Sequence, residues 1–238
     1  ESSVAVQGEQ GSFSHQAARQ LFGAEVRIEP CADFDALMDA VATRQVESGV
    51  VPVENTLAGS VPRNLDRILE AGLVVVRETE VRVELCLIAA RHITLDQVHV
   101  VASHPVALEQ CRSFFSDHRG LQPRSVDDTA GSVRDLMAGS VDYQAAIASE
   151  LAAELYGAGV LAHGIEDHAA NFTRFYEVRH PASRGDGAND REALVAAQLR
   201  SVDEACRVKA VIAFVVEQAP DALHEALQAI ATAGADLS

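Results

Sequence analysis

Lysine is almost missing from this sequence. The 19 basic residues are one lysine, Lys209, and 18 arginines. Lys209 lies in RVKAVIAF with no glycine-rich loop before it, so neither a phosphate-binding GK[ST] loop nor a kinase-type glycine loop is present. A Schiff-base enzyme would have this one residue to work with. The skew toward arginine is what genomic base composition produces. Positive charge is also scarce, since 35 acidic residues against 19 basic ones leave a formal charge of −16. Nucleic acid is a poor partner for such a chain, because phosphate binding needs a basic footprint. Anionic membrane surfaces are disfavoured for the same reason. The four cysteines, Cys31, Cys86, Cys111 and Cys206, form no C-x-x-C pair and read as reduced packing residues of a cytoplasmic protein. No apolar run approaches the ~18 residues of a membrane span. No signal peptide opens the chain, and the start at Glu1 reads as a trimmed N-terminus.

What is present is a globular composition, 48% hydrophobic and 23% charged over 238 residues. That suffices to bury a sizeable core. Short apolar runs at 3–7, 25–29, 49–53, 74–76, 81–89, 98–102 and 145–149 read as strands. Amphipathic helices are expected at 13–22, 62–71 and 105–115, the last with Leu108, Cys111, Phe114 and Phe115 on one face. Alternation of the two predicts an α/β fold with largely parallel sheets. The run 81–89 alternates apolar and polar residues and reads as one long strand carrying the chain between two lobes, with a return near 165–175. Two crossings would leave a cleft between the lobes. The stretch RHPASRGDGANDRE reads as an exposed, mobile linker at 181–206. A strand at 208–217 and a helix at 220–234 follow, a βα unit too small to bury its own apolar face, so either the chain stops inside a further domain or this piece packs on a partner.

Four helix starts carry unusual sequences: GEQGSFSH after the first strand, ENTLAGSVP after the third, SHP with Ser103 as expected N-cap, and DDTAG near Thr129. Each is a good capping sequence in its own right. In a parallel α/β lobe such loops emerge at the carboxyl edge of the sheet, where ligands bind, and helix N-termini suit anions. Facing across a cleft, they would hold a small dianion. The segment HGIEDHAANFTRF sets a hydroxyl beside a guanidinium at Thr173 and Arg174. A metal set of His163, Glu166 and His168 is disfavoured, because the spacing is not that of H-E-x-x-H. Ser12 and Ser14 have His15 nearby, but adjacency in sequence is weak support for a triad.

The stretches VAVQGEQGSFSHQAA, GVVPVENTLAGSVPRNLD, ASHPVALEQCRSF, VDDTAGSV, AAIAS with AAELYG, and NFTRF come in one order across residues 3–178. Together they resemble prephenate dehydratase and its close relative arogenate dehydratase. The tail VKAVIAFVVEQAPDALHEALQAIATAGADLS resembles the first strand and helix of an ACT regulatory domain. The resemblance implies a bilobal fold like type II periplasmic binding proteins (lobes about 1–80 plus 165–180, and 81–164), followed at 207–238 by part of a ferredoxin-like ACT domain. It implies a carbon–oxygen lyase that removes CO2 and the ring hydroxyl from prephenate to give phenylpyruvate in phenylalanine biosynthesis. No cofactor and no metal are implied.

By the same resemblance Thr173, Asn55, Gln110 and Ser103 are expected catalytic groups. Arg174, Phe175, Thr56, Ser60, Asp127, Thr129, Ser12 and Ser14 are expected substrate contacts, Arg174 holding a carboxylate or ordering its loop. Ala222 and Leu223 stand where an allosteric phenylalanine would bind. The chain departs from the family's common pattern at Val106, often glutamine, and at Asp221, commonly glycine. A homodimer or homotetramer is the family expectation. Arogenate dehydratase, forming phenylalanine directly, is the alternative within the class; a non-catalytic small-anion or amino-acid binding protein is the alternative outside it.

Overall fold

A computed structural model describes residues 3–181 and 222–232. The chain divides into two compact units, residues 1–201 and 202–238. In the first unit, β1 (Ser3–Gln7), α1 (Phe13–Phe22), β2 (Arg27–Cys31), α2 (Phe34–Ala42), β3 (Ser48–Asn55), the two-residue β4 (Gly59–Ser60), α3 (Pro62–Glu70) and β5 (Val74–Arg82) build the first lobe. Its sheet is ordered β2-β1-β3-β11-β5, and β11 (Phe172–Arg179) arrives from the far end of the chain. The second lobe holds β6 (Cys86–Ala89), a 3-10 turn at Leu95–Gln97, β7 (Val100–Ser103), α4 (Pro105–Glu109), α5 (Arg112–Asp117), β8 (Gln122–Ser125), α6 (Thr129–Met137), β9 (Ala145–Ala148), α7 (Glu150–Tyr156) and β10 (Gly159–Ala162). Its five-stranded sheet is ordered β10-β6-β9-β7-β8.

The central strands are buried on both faces, as their unbroken apolar runs require. Val4, Ala5 and Val6 of β1 and Leu87, Ile88 and Ala89 of β6 are 0–2% exposed. The sheets are nevertheless mixed. β1 runs parallel to β2 and β3, and β7 to β8 and β9, while β11, β6 and β10 run antiparallel to their neighbours. The antiparallel strands are those next to the passages between lobes, so the expectation of largely parallel sheets holds only for the βα repeats. Glu177 is fully buried in β11, where Arg77 Nε (2.5 Å), Arg179 Nε (2.6 Å) and the Ser48 hydroxyl (3.1 Å) all donate to it. This charge is paired on both oxygens and ties β5, β11 and β3 together.

Three sequence expectations are corrected here. The run 81–89 is not one strand: β5 ends at Arg82 and β6 begins at Cys86. The residues between form one strap across the lobes, and 165–171 form the other. Val83 N–H donates to Asn171 O (2.8 Å), Ile165 N–H to Leu85 O (3.0 Å) and Leu85 N–H to Glu166 Oε2 (2.9 Å). The alternation of residues 81–85 therefore reflects the end of β5 and a strap buried on one side, while Cys86 and Leu87 are both buried in β6. Second, the expected helix 105–115 is broken into α4 and α5. The Asp167 carboxylate accepts from Arg112 N–H (3.2 Å) and Ser113 N–H (2.9 Å), capping α5 from the strap and stabilising the break. Third, helix starts fall where expected but one cap is shifted by a residue and one expected helix-end serine lies outside its helix. α4 begins at Pro105 but is capped by His104, not Ser103; α3 begins at Pro62 after Val61, leaving Ser60 in a short hairpin opposite Glu54; and α6 begins at Thr129 within its expected capping sequence, with Asp128 as the cap. At α1 the expected cap holds, the Ser12 hydroxyl accepting from His15 N–H at 3.2 Å.

In the second unit the described element is α8 (Ala222–Thr232), inside the helix expected at 220–234, with Leu223 57% exposed. The expected linker 181–206 beyond His180 and Pro181, the strand 208–217, Cys206, and the side chain of Ala222 lie outside the described residues. No described helix is long and apolar enough to cross a membrane.

Candidate active site

The C-terminal end of β3 meets the N-terminal end of β11, which pairs Asn55 with Thr173 and Glu54 with Arg174. β3 turns sharply after Asn55, and the Asn55 side chain makes the turn. Its Oδ1 accepts from Leu57 N–H and Ala58 N–H, both at 2.9 Å. Those two bonds fix which end of the carboxamide is which, because a backbone N–H can only donate. The Nδ2 end therefore points at β11, where its acceptors are Asn171 Oδ1 (2.8 Å), Thr173 Oγ1 (2.9 Å) and Phe172 O (3.1 Å). Thr56 clips the same turn to the strap: its hydroxyl donates to Ala170 O and accepts from Phe172 N–H, both at 2.9 Å.

Polarity then propagates. Thr173 Oγ1 is an acceptor for Asn55, so its own hydrogen is directed elsewhere, and no described residue takes it. Asn171, fully buried, accepts through Oδ1, and its Nδ2 donates to Gln110 Oε1 at 3.2 Å. Gln110 caps the end of α4 in the second lobe, and its carbonyl accepts from Asp167 N–H at 2.6 Å. With Oε1 engaged, the Nε2 of Gln110 keeps both of its donors unused among the described residues. The half-buried pair Thr173 and Gln110 thus presents hydrogen-bond donors, one from each side of the lobe boundary, which suits a ligand rich in oxygen acceptors.

A second cluster forms where the first lobe's Gly8–Ser12 loop abuts the second lobe. Glu9 pairs with Arg134 of α6 at 2.5 Å, Tyr156 OH donates to Gln10 O at 3.1 Å, and the Ser149 hydroxyl donates to Gly11 O. Ser12 and Ser14 are buried here, and Gly11 N–H donates to His15 Nδ1 (3.1 Å). Burial, and behind it the Arg19 charge, hold His15 below its usual pKa of 6.5. Thr129, half-buried, opens α6 beside this loop, and Asp127 is exposed just before its cap. Among the described residues no hydrogen bond joins this cluster to that of Asn55 and Thr173.

Several expected contacts are placed otherwise. Ser103 is fully buried, its hydroxyl donating to Ile147 O (2.6 Å), a bond that ties β7 to the end of β9. Phe175 is 2% exposed and packs among Val4, Val6, Ala17, Val50 and Val81, so its role is core packing rather than a substrate contact. Arg174 projects from the face of β11 opposite Thr173, as successive strand residues must. It pairs with Glu54 at 3.1 Å, which favours the loop-ordering role over the carboxylate-holding one. Ser60 is exposed opposite Glu54. Of the disfavoured metal set, Glu166 is taken by Leu85 N–H and Arg82, and no group of three His, Cys, Asp or Glu among the described residues is placed to share an ion. One Cys–His contact that the sequence did not suggest, Cys86 Sγ to His163 Nδ1 at 3.6 Å, involves a fully buried thiol pushed up to about 12 by burial. It is no nucleophile. A groove of about 610 Å3 runs between α1 and β5 on one side and α7 and β10 on the other, touching none of the expected site residues.

Asn171 and Asp167 were missed as site residues. The signal available was a polar residue opening an apolar strand in NFTRF, and an acid next to the return crossing.

Two mixed α/β lobes joined by paired straps, with neutral donors gathered at their boundary, define the class: a bilobal α/β fold with two mixed sheets. Residues 4–183 match the family described as prephenate dehydratase, and the chain belongs to that family. Arogenate dehydratase/prephenate dehydratase 2 of Arabidopsis thaliana, a chloroplastic protein, is 38% identical over 172 residues, covering 72% of this chain. The chain spans only 45% of that relative's length. Among solved structures, a prephenate dehydratase from Arthrobacter aurescens in complex with L-Phe superposes with a TM-score of 0.76 at 26% identity, over 99% of this chain and 74% of that one. GqqA, described as a novel type of quorum-quenching acylase, gives a TM-score of 0.75 at 31% identity, over 99% and 79%.

Proposed function

We propose that this chain carries the catalytic domain of a prephenate dehydratase, a carbon–oxygen lyase converting prephenate to phenylpyruvate, CO2 and water. In this reaction the ring carbon–carboxylate bond breaks, its electron pair enters the ring, and the ring hydroxyl leaves opposite, taking up a proton to depart as water. The enzyme's task is to place a donor on that hydroxyl and to hold the second carboxylate. The observation that carries this reading is the acceptor role of Thr173 Oγ1 toward Asn55, which turns the threonine hydrogen toward a ligand. A hydroxyl has a high pKa, so Thr173 polarises and orients the leaving group. Gln110 supplies the donors for an adjacent carboxylate, and Asn55 and Thr56 hold the turn. Ser12, Ser14, Asp127 and Thr129 line the second cluster, where the start of α1 offers its dipole to the remaining charge. Phenylalanine, the partner named for the Arthrobacter structure, is the expected feedback ligand of the second unit, and the assembly is a homodimer or homotetramer in the cytoplasm.

The direct test is incubation with prephenate and detection of phenylpyruvate by its absorbance in alkali, with and without phenylalanine, and with arogenate in parallel. Turnover of prephenate is expected. Turnover of arogenate alone transfers the same chemistry to the amino substrate, and binding without turnover of either overturns the enzyme reading. A serine- or cysteine-dependent acylase has less support, because no described serine hydroxyl is hydrogen-bonded to a histidine ring and the Cys86 thiol is sealed in the core.

A further inference from the structure

We propose that Asn171 is a positioning residue that sets the hydrogen-bond polarity of the site across the lobe boundary, so that Gln110 presents its amide donors, and not its carbonyl, to the substrate. This rests on the prephenate reading for its activity assay but not for its geometry. The chain of amides runs one way from a fixed start. Leu57 and Ala58 N–H orient Asn55, Asn55 Nδ2 makes Asn171 Oδ1 an acceptor, and Asn171 Nδ2 then makes Gln110 Oε1 an acceptor. Asn171 belongs to the strap, Asn55 to the first lobe and Gln110 to the second. Its carboxamide is completely buried and satisfied at both ends, so it touches no ligand and acts through its neighbours. A residue with acceptors only at this position would force Gln110 to turn over, putting a carbonyl oxygen against the substrate's carboxylate.

Asn171→Asp makes the test nearly isosteric. As a carboxylate, residue 171 accepts from Asn55 but has nothing to donate, so Gln110 reverses. As a neutral acid it carries one O–H donor and one C=O acceptor and restores the native pattern. Burial among amides raises the pH at which that proton is lost. The nearest charged groups along the packed elements are Glu166, paired with Arg82, and Asp167 at the start of α5, while Arg174 with Glu54 lies on the opposite face of β11 and β3. These are unchanged in the variant, so the ratio of variant to wild type isolates residue 171. At about pH 8 kcat/KM for prephenate should fall about 10–100-fold, the factor that a reversed buried hydrogen bond carries. At about pH 5 the variant should recover to within about threefold of wild type. A loss of the same size at every pH, or no loss, overturns the proposal. Absence of turnover in the wild type would instead overturn the prephenate reading, and the second measurement then decides, as it does if Asn171→Asp fails to fold. In side-chain amide NMR of the free wild-type protein, the Asn171 protons should exchange slowly with water and those of Gln110 fast. Any other order overturns the proposal.

Discussion

Thr173 is held from one side only. Asn55 donates to its oxygen, β11 fixes its backbone between β3 and β5, and its hydrogen is left for a ligand. Thr173→Val keeps the shape and removes that hydrogen while leaving an Asn55 donor with two other acceptors, so the cost to stability should stay within about 1–2 kcal/mol. Turnover of prephenate should fall by roughly 10²–10⁴-fold with a smaller change in KM. A kcat within about threefold of wild type in a folded variant removes Thr173 from the proposed mechanism. His15 offers a second test at this scale. It sits in the first turn of α1, accepts from Gly11 N–H, and is held below 6.5 by burial and then by Arg19. Above pH 6.5 both folded and unfolded forms are neutral there and no stability is lost. As pH falls below 6.5 the unfolded chain takes up a proton that the native site refuses, so stability declines until the lowered native value is reached. His15→Gln, which keeps an acceptor but does not titrate, should show a shallower drop in melting temperature between about pH 7 and about pH 5. Equal slopes would mean that His15 carries no linked proton.

Among the elements, the Gly8–Ser12 loop packs closely on α7 across the lobe boundary. Gly11 has φ +88°, and a Cβ on it would lie 2.6 Å from Ala152 Cα and 2.8 Å from Ala152 Cβ. Gly11→Ala therefore meets both a backbone penalty of about 1–2 kcal/mol and a clash with main chain that cannot yield cheaply. Gly59→Ala shares the positive φ but meets nothing within 4 Å, which makes it the control. Urea midpoints should fall further for Gly11→Ala than for Gly59→Ala; equal shifts would show that the lobes part there without cost. What was legible in the sequence follows the same division between local and non-local causes. β1 and α1 were readable to the residue, because an apolar run and a Ser-capped amphipathic turn are local signals. The break between β5 and β6, and that between α4 and α5, were not, because each depends on a partner far along the chain: Asn171 and Ile165 for the first, Asp167 for the second. In the site, the motif resemblance singled out Thr173, Asn55 and Gln110. It did not single out Asn171, whose side chain joins Asn55 to Gln110, because hydrogen-bond polarity is a property of contacts and leaves no trace in spacing. Ser103, Ser60 and Phe175 were readable as polar caps or as an aromatic beside the site, and only burial and pairing show where they lie.

At the scale of the whole molecule, the proposed prephenate reading asks a chain of formal charge −16 to bind a dianion. Arginines near the lobe boundary are already neutralised: Arg174 by Glu54, Arg134 by Glu9 and Asp135, Arg82 by Glu84 and Glu166. Attraction for the substrate then comes from oriented neutral donors at Thr173 and Gln110 and from helix ends, all of which act over a few ångströms. Repulsion comes from the distant surface and is long-ranged. Raising ionic strength from about 0.01 to about 0.15 M shortens the screening length from ~30 to ~8 Å, which removes repulsion first. The value of kcat/KM for prephenate should therefore stay flat or rise over that interval. Chloride competes for helix ends, so the titration is repeated with a bulkier, weakly competing anion, where the rise should be larger. A site built on free arginines would behave oppositely, and a steep fall with both salts would place an unpaired cation in the cleft and displace the neutral-donor account of binding.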